Sequence, residues 1–169
     1  MYKAGEKVMY GASGVCEIES IGPIDSINAD KDRLYYSLRN LSTGGVAYVP
    51  VDSEVFIRHV MKKSEAEKLI QELPSIPPVD FSKVPTRDLQ KAFKDNIASH
   101  DSKKIIGLIK YIKNTEYKKQ ISKKKLSLTE ERYLSQALNV ITGELGCALG
   151  KETTEIEMLI KAALNSEKE

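Results

Sequence analysis

The chain has 169 residues, 41% of them apolar, and sets 26 Lys and Arg against 24 Asp and Glu for a formal net charge of +2. That length suits one domain or two small ones burying roughly 70% of the unfolded surface, and no run approaches the roughly 20 apolar residues of a membrane span. The opening Met1-Tyr2-Lys3-Ala4 with Glu6 is unlike a signal peptide, Cys16 and Cys147 are far apart, and a cytoplasmic protein with two reduced thiols, no metal site and no membrane partner is expected.

Lys7-Val8-Met9-Tyr10 and Gly14 to Ile21 are predicted strands, joined by a turn in which Gly11 and Gly14 supply positive φ. Gly22-Pro23 ends the second strand, and a polar loop from Ser26 to Asp32 leads to a third at Arg33 to Arg39. Ser42-Thr43-Gly44-Gly45 is a hairpin turn into Val46-Ala47-Tyr48-Val49. Four or five such strands predict a small, strongly bent sheet or open barrel. Its edge strands can accept a partner's strand through backbone hydrogen bonds, which is a binding architecture rather than a catalytic one.

Ser53 to Met61 is ambiguous between a helical turn and a last strand. Ser64 to Glu67 has capping-box spacing before a short helix with Ala66, Leu69, Ile70 and Leu73 on its apolar face. Residues 74 to 85 hold four of the six prolines and predict an extended linker.

Thr86 is the predicted N-cap of a helix bearing Leu89, Ala92, Phe93 and Ile97. Arg87, Lys91 and Lys94 fall within about 60° of one another on its opposite side, a basic ridge facing solvent. Asp101 caps the next helix, whose Ile105, Ile106, Leu108, Ile109 and Ile112 face a core with Lys103 and Lys110 turned away. Lys118 to Lys125 forms a basic connection, and Ser127 to Glu130 repeats the capping box before a long helix through Tyr133, Leu134, Ala137, Leu138, Ile141, Leu145 and Leu149. A final helix runs from about Thr154. The fold class is therefore α+β with two domains: a small sheet followed by an all-α bundle.

The modest net charge conceals segregation. Residues 86–125 carry twelve basic and four acidic side chains, whereas residues 126–169 carry four basic and eight acidic ones. A basic segment confined to one module is an electrostatic footprint for nucleic acid; the competing explanation is a solvated lysine face. The chain offers no nucleophile with a base, no phosphate-cradling glycine loop and no carboxylate cluster, so an enzyme is not expected, and neither is a cofactor.

With Gly5-Glu6-Lys7-Val8-Met9-Tyr10 and Gly14, Val49-Pro50-Val51-Asp52, Ala98-Ser99-His100-Asp101, Leu126 to Glu131 and Gly143-Glu144-Leu145 in this order, the chain resembles the CarD family (CarD/CdnL group), bacterial RNA polymerase-binding transcription regulators. The resemblance implies a Tudor-like N-terminal domain at residues 1–73 that docks on the polymerase β-subunit lobe, a linker at 74–85, and a helical domain at 86–169. The last would contact promoter DNA at the upstream edge of the transcription bubble and stabilise the open complex. The expected protein is a monomer, associated with the nucleoid through polymerase. The alternative is a polymerase adaptor without direct DNA contact.

Residue by residue, the resemblance places Lys91 at a basic position of the family motif, with Arg87 and Lys94 on its helix face. Arg132 lies where the later helix carries another cation, and Lys123, Lys124 and Lys125 are additional phosphate candidates. The family's wedge tryptophan falls near Thr86, and this chain has no Trp. Phe81 is the nearest upstream aromatic, expected in the core, with a substitute wedge as the alternative. On the polymerase side, Ile24 and Tyr48 replace basic contacts, so docking is expected to rest on strand pairing, with Tyr48, Val49 and Pro50 at its centre.

Overall fold

The computed structural model describes residues 1–165 apart from Ile27 and Phe56, and the chain divides into two compact units, Met1–Val60 and Met61–Glu169. In the first unit, β-favouring residues separated by turn residues form five strands, β1 (Lys7–Tyr10), β2 (Gly14–Gly22), β3 (Tyr35–Asn40), β4 (Val46–Pro50) and β5 (Ile57–His59). They make one open antiparallel sheet in the order β4-β3-β2-β1-β5. The run that was ambiguous in sequence thus supplies the last strand; Phe56, within it, lies outside the described residues.

Gly11 and Gly14 take φ of 49° and 85° around the β1–β2 turn, a conformation that costs glycine nothing. Val8, Cys16, Ile18, Tyr36, Leu38 and Val49 form the core on one face, flanked by Tyr2, Tyr10, Ile21, Val51 and Ile57. Burial pushes the Cys16 thiol up to about 11, so it stays protonated and inert at neutral pH. The β2–β3 register slips between Ile18 and Ser20, a bulge that leaves Glu19 over to bind Arg39 on β3. Asn40 organises the β3–β4 hairpin by accepting from the Ser42 and Thr43 amides at 2.8 and 2.9 Å and donating to the Ser13 carbonyl.

The second unit contains α1 (Lys63–Glu72), α2 (Leu89–Ala98), α3 (Ser102–Ile121), α4 (Leu128–Leu149) and α5 (Thr153–Asn165). α1 starts just before the predicted Ser64, with the Glu65 carboxylate accepting the Lys62 amide at 2.7 Å. Two of the other predicted caps form as expected. Asp101 accepts from the Lys103 and Lys104 amides, and Ser127 and Glu130 exchange reciprocal hydrogen bonds with each other's backbone. Gly150 ends α4 at φ 65°, letting the Lys151 amide return to the Gly146 carbonyl.

The units divide at a different place from the expected 74–85 boundary, and the proline-rich segment is not a free linker. It packs on α3: the Val79 amide donates to the Gly107 carbonyl at 3.0 Å, and Ile76 and Phe81 are buried. A Cβ on Gly107 would lie 2.9 Å from Val79 Cγ2 and 3.0 Å from the Pro77 carbonyl oxygen, so only glycine admits the segment this closely. Phe81 sits edge-on to Phe93 and Tyr111, with ring centroids at 5.3 and 4.9 Å, and Phe93 continues the cluster to Tyr133 on α4.

Lys110 also departs from expectation. It is 1% exposed rather than turned to solvent, and its Nζ donates to the carbonyls of Leu73, Pro74 and Ile76 at 2.6, 3.3 and 2.5 Å. These carbonyls lie in and just after the 3-10 turn Leu73–Ser75 that follows α1, and Pro77 and Pro78 bring no N–H to them. Apart from the Ile76 amide, 3.4 Å from the Leu73 carbonyl, a lysine from α3 meets them.

Candidate protein-binding edge and nucleic-acid interface

In the sheet, β4 is a terminal strand, paired on one side only. The Val51 amide donates to the Leu34 carbonyl beyond one end of the β3–β4 ladder, and the Asn40 amide donates to the Gly45 carbonyl beyond the other. Antiparallel pairing alternates hydrogen-bonded and non-bonded pairs, so Val49 and Ala47 bond to β3 while Val46, Tyr48 and Pro50 turn their backbone groups outward. Pro50 has no amide to offer, which is where an edge strand tolerates proline.

Tyr48 and Val46 are 56% and 45% exposed, with Leu34 and Leu41 exposed on the neighbouring strand's ends. Val49 is buried, so of the expected contact residues it supports the edge from the core side. Ile24 is half-buried in the loop after β2; the register sets Gly22, Tyr35 and Pro50 abreast, placing Ile24 beyond the same end of the sheet. Arg33 clamps that end through Asp52 at 2.7 Å, and this hydrogen bond holds the Asp52 carboxyl below its ordinary range.

The helical unit carries the basic segment, and the structure divides its twelve cations into two sets. Lys110 is buried; Arg87, Lys91, Lys103, Lys113 and Lys119 face Asp88, Asp95, Glu72, Glu116 and Glu130 at 3.8, 2.5, 2.8, 2.8 and 2.6 Å. Burial alone would raise the Glu130 pKa, yet the Lys119 and Ser127 hydrogen bonds hold it low. Lys94, Lys104, Lys118, Lys123, Lys124 and Lys125 are exposed and pair with no carboxylate among the described residues.

The predicted start of α2 needs correction. Thr86 makes no side-chain cap but opens a 3-10 turn, Thr86–Asp88, after Pro85; α2 begins at Leu89. Pro85, extended at φ −57° and ψ 144°, holds the position before the turn, and Asp88 precedes α2 without a side-chain cap. Arg87 therefore precedes the helix, and the ridge on α2 itself consists of Lys91 and Lys94. Arg132, on α4, lies over the Tyr133 ring at 5.4 Å, a contact compatible with an exposed guanidinium. Tyr133 in turn packs on Phe93 of α2 at 5.8 Å.

Lys118 and Lys119 are the last turn of α3, so the basic connection is shorter than predicted. Its Lys123 takes φ 54°, and the Lys123 and Lys124 amides return to the carbonyls of Gln120 and Lys119 at 2.9 and 2.7 Å. This is a helix stop whose left-handed residue is usually glycine. Lys123→Gly is expected to raise stability by about 0.5–1 kcal/mol, seen as a higher urea midpoint with an unchanged slope. An unchanged or lower midpoint would contradict it.

Thr86 is exposed, and Phe81 lies in the core, as expected, enclosed between Phe93 and Tyr111. Among the described residues no helix is long and apolar enough to cross a membrane, and no group of three His, Cys, Asp or Glu is placed to hold a metal.

None of the curated proteins compared with the chain matched it. Residues 2–61 match the family described as the CarD-like/TRCF RID domain, a family of interaction rather than catalytic domains whose presence marks an RNA polymerase-interacting, transcription-related protein. The match spans all five strands and ends where the first compact unit does. Residues 2–61 thus form a sheet similar to the CarD-like/TRCF RID domain.

Proposed function

We propose that the chain is a transcription regulator that binds the β-subunit lobe of RNA polymerase through the β4 edge and binds promoter DNA at the upstream bubble edge through its helical unit. A protein engaged with both partners shifts the closed-to-open equilibrium only by its greater affinity for the open state. The observation that carries the DNA half is the set of six exposed lysines without carboxylate partners among the described residues, three of them consecutive at Lys123, Lys124 and Lys125. Arg87, Lys91 and Arg132 join them as candidate phosphate contacts.

With about six phosphates neutralised, the log-log salt slope of the full chain on promoter duplex is near −5, a loss of about 10³ in affinity between 50 and 200 mM salt. Fluorescence anisotropy measures this directly, and a slope near zero would falsify the DNA contact. Neutralising Arg87, Lys91 and Lys94 together shortens the open-complex lifetime. The absence of a wedge predicts nearly equal binding of duplex and fork junction at one salt concentration.

A polymerase adaptor without DNA contact is the second reading. It is favoured by the pairing or burial of Arg87, Lys91, Lys103, Lys110, Lys113 and Lys119, which halves the apparent footprint. It predicts polymerase binding with no extension of the DNA footprint at the bubble edge.

A further inference from the structure

The exposed side of α2 mixes charges of both signs: Arg87 and Asp88 precede the helix, and Lys91, Lys94 and Asp95 follow along it. Asp95 sits one turn beyond Lys91 and accepts from its Nζ at 2.5 Å, with both side chains mostly in water. Such a pair contributes little to the fold, because exposed i, i+4 ion pairs are weak and salt-screened. Its effect on an incoming polyanion is larger. A carboxylate already occupying the ammonium must be displaced or shared, and it repels any phosphate drawn to Lys91 or Lys94.

We infer that Asp95 is an internal competitor for phosphate: by holding Lys91 it weakens the grip of the α2 ridge on DNA and keeps this unit from binding duplex avidly away from polymerase. The inference rests on the DNA reading above and deepens it. It assigns to Asp95 a role opposite in sign to that of its neighbours. Lys94, with no carboxylate partner among the described residues, is the ridge cation available at first encounter, and Lys91 is released only where a phosphate is held close enough to outcompete Asp95.

The test is a salt titration of the full chain on a short fluorescein-labelled duplex, comparing wild type, Asp95→Asn, Lys91→Gln and the double variant. A carboxylate roughly 6 Å from a phosphate in water changes affinity about threefold. Asp95→Asn is expected to tighten binding by about that factor and to steepen the slope by about 0.9 as Lys91 gains a phosphate. In the Lys91→Gln background the same substitution leaves the slope unchanged and gains less affinity.

A wild-type slope near −5 with no response to Asp95→Asn overturns the competitor role while leaving the DNA reading intact. So does an equal gain and equal slope change in both backgrounds, which would reduce Asp95 to general repulsion. A wild-type slope near zero removes the DNA reading itself, and this inference with it. Superimposable thermal unfolding of the four proteins separates all these outcomes from misfolding.

Discussion

Lys110→Met destabilises the helical unit by about 2–5 kcal/mol, the cost of leaving buried carbonyls without the donor that meets them. The methionine fills much of the space of the lysine stem but offers nothing to the carbonyls of Leu73, Pro74 and Ile76, which Nζ meets at 2.5 to 3.3 Å. Each buried acceptor left unsatisfied costs about 1–3 kcal/mol, and water enters only by lifting the proline-rich segment from α3. Denaturation followed by helical circular dichroism reads the effect as a midpoint lowered by about 10 °C or more. A loss below about 1 kcal/mol would show that the carbonyls find other partners.

Tyr48→Pro abolishes strand docking while sparing the sheet. The Tyr48 amide points away from β3, so proline there removes an outward donor and no ladder hydrogen bond. Ala47→Pro is the opposite case, since its amide faces β3. Polymerase-lobe affinity is expected to fall about 100-fold or more for Tyr48→Pro, from the lost donor, the lost ring and the altered strand path, each of which adds to docking by edge pairing. Its unfolding midpoint stays close to wild type, whereas that of Ala47→Pro falls clearly. Wild-type affinity for Tyr48→Pro, measured by interferometry on immobilised β lobe, would move the docking surface off β4. Tyr48→Ala separates ring from backbone, since it retains the amide.

Much of this architecture is written locally. Strands β1 to β4 follow from alternation and turn residues, and the starts of α3 and α4 follow from Asp101 and Ser127, because a cap depends on residues within one turn. Features that depend on distant packing were not legible in the same way. The prolines of 74–85 announce an extended path but not where it runs; Ile76, Val79 and Phe81 between them carried the apolar signal that the segment is covered. Lys110 had an indirect signal too, since Gly107 marks a close backbone approach and a residue three positions on shares its face.

The candidate interface divides similarly. The concentration of cations was readable, but the neutralisation of Lys103 by Glu72 and of Lys119 by Glu130 joins residues from separate helices. The edge position of β4 could be guessed from Pro50, yet which of its amides face outward required the register. Thr86 has the residue type of a cap without acting as one, because Pro85 starts a tighter turn before the helix.

The one-sided register of β4 has a further consequence, for solubility. A free strand edge with Val46 and Tyr48 exposed beside it is a template on which identical chains could stack into a ribbon. Pro50 interrupts that template: it leaves Val46 and Tyr48 as the only two outward amides in a strand of five residues, enough to grip a short foreign strand and too few to propagate a sheet. The proline that closes the strand thus works as a guard of this edge against self-association.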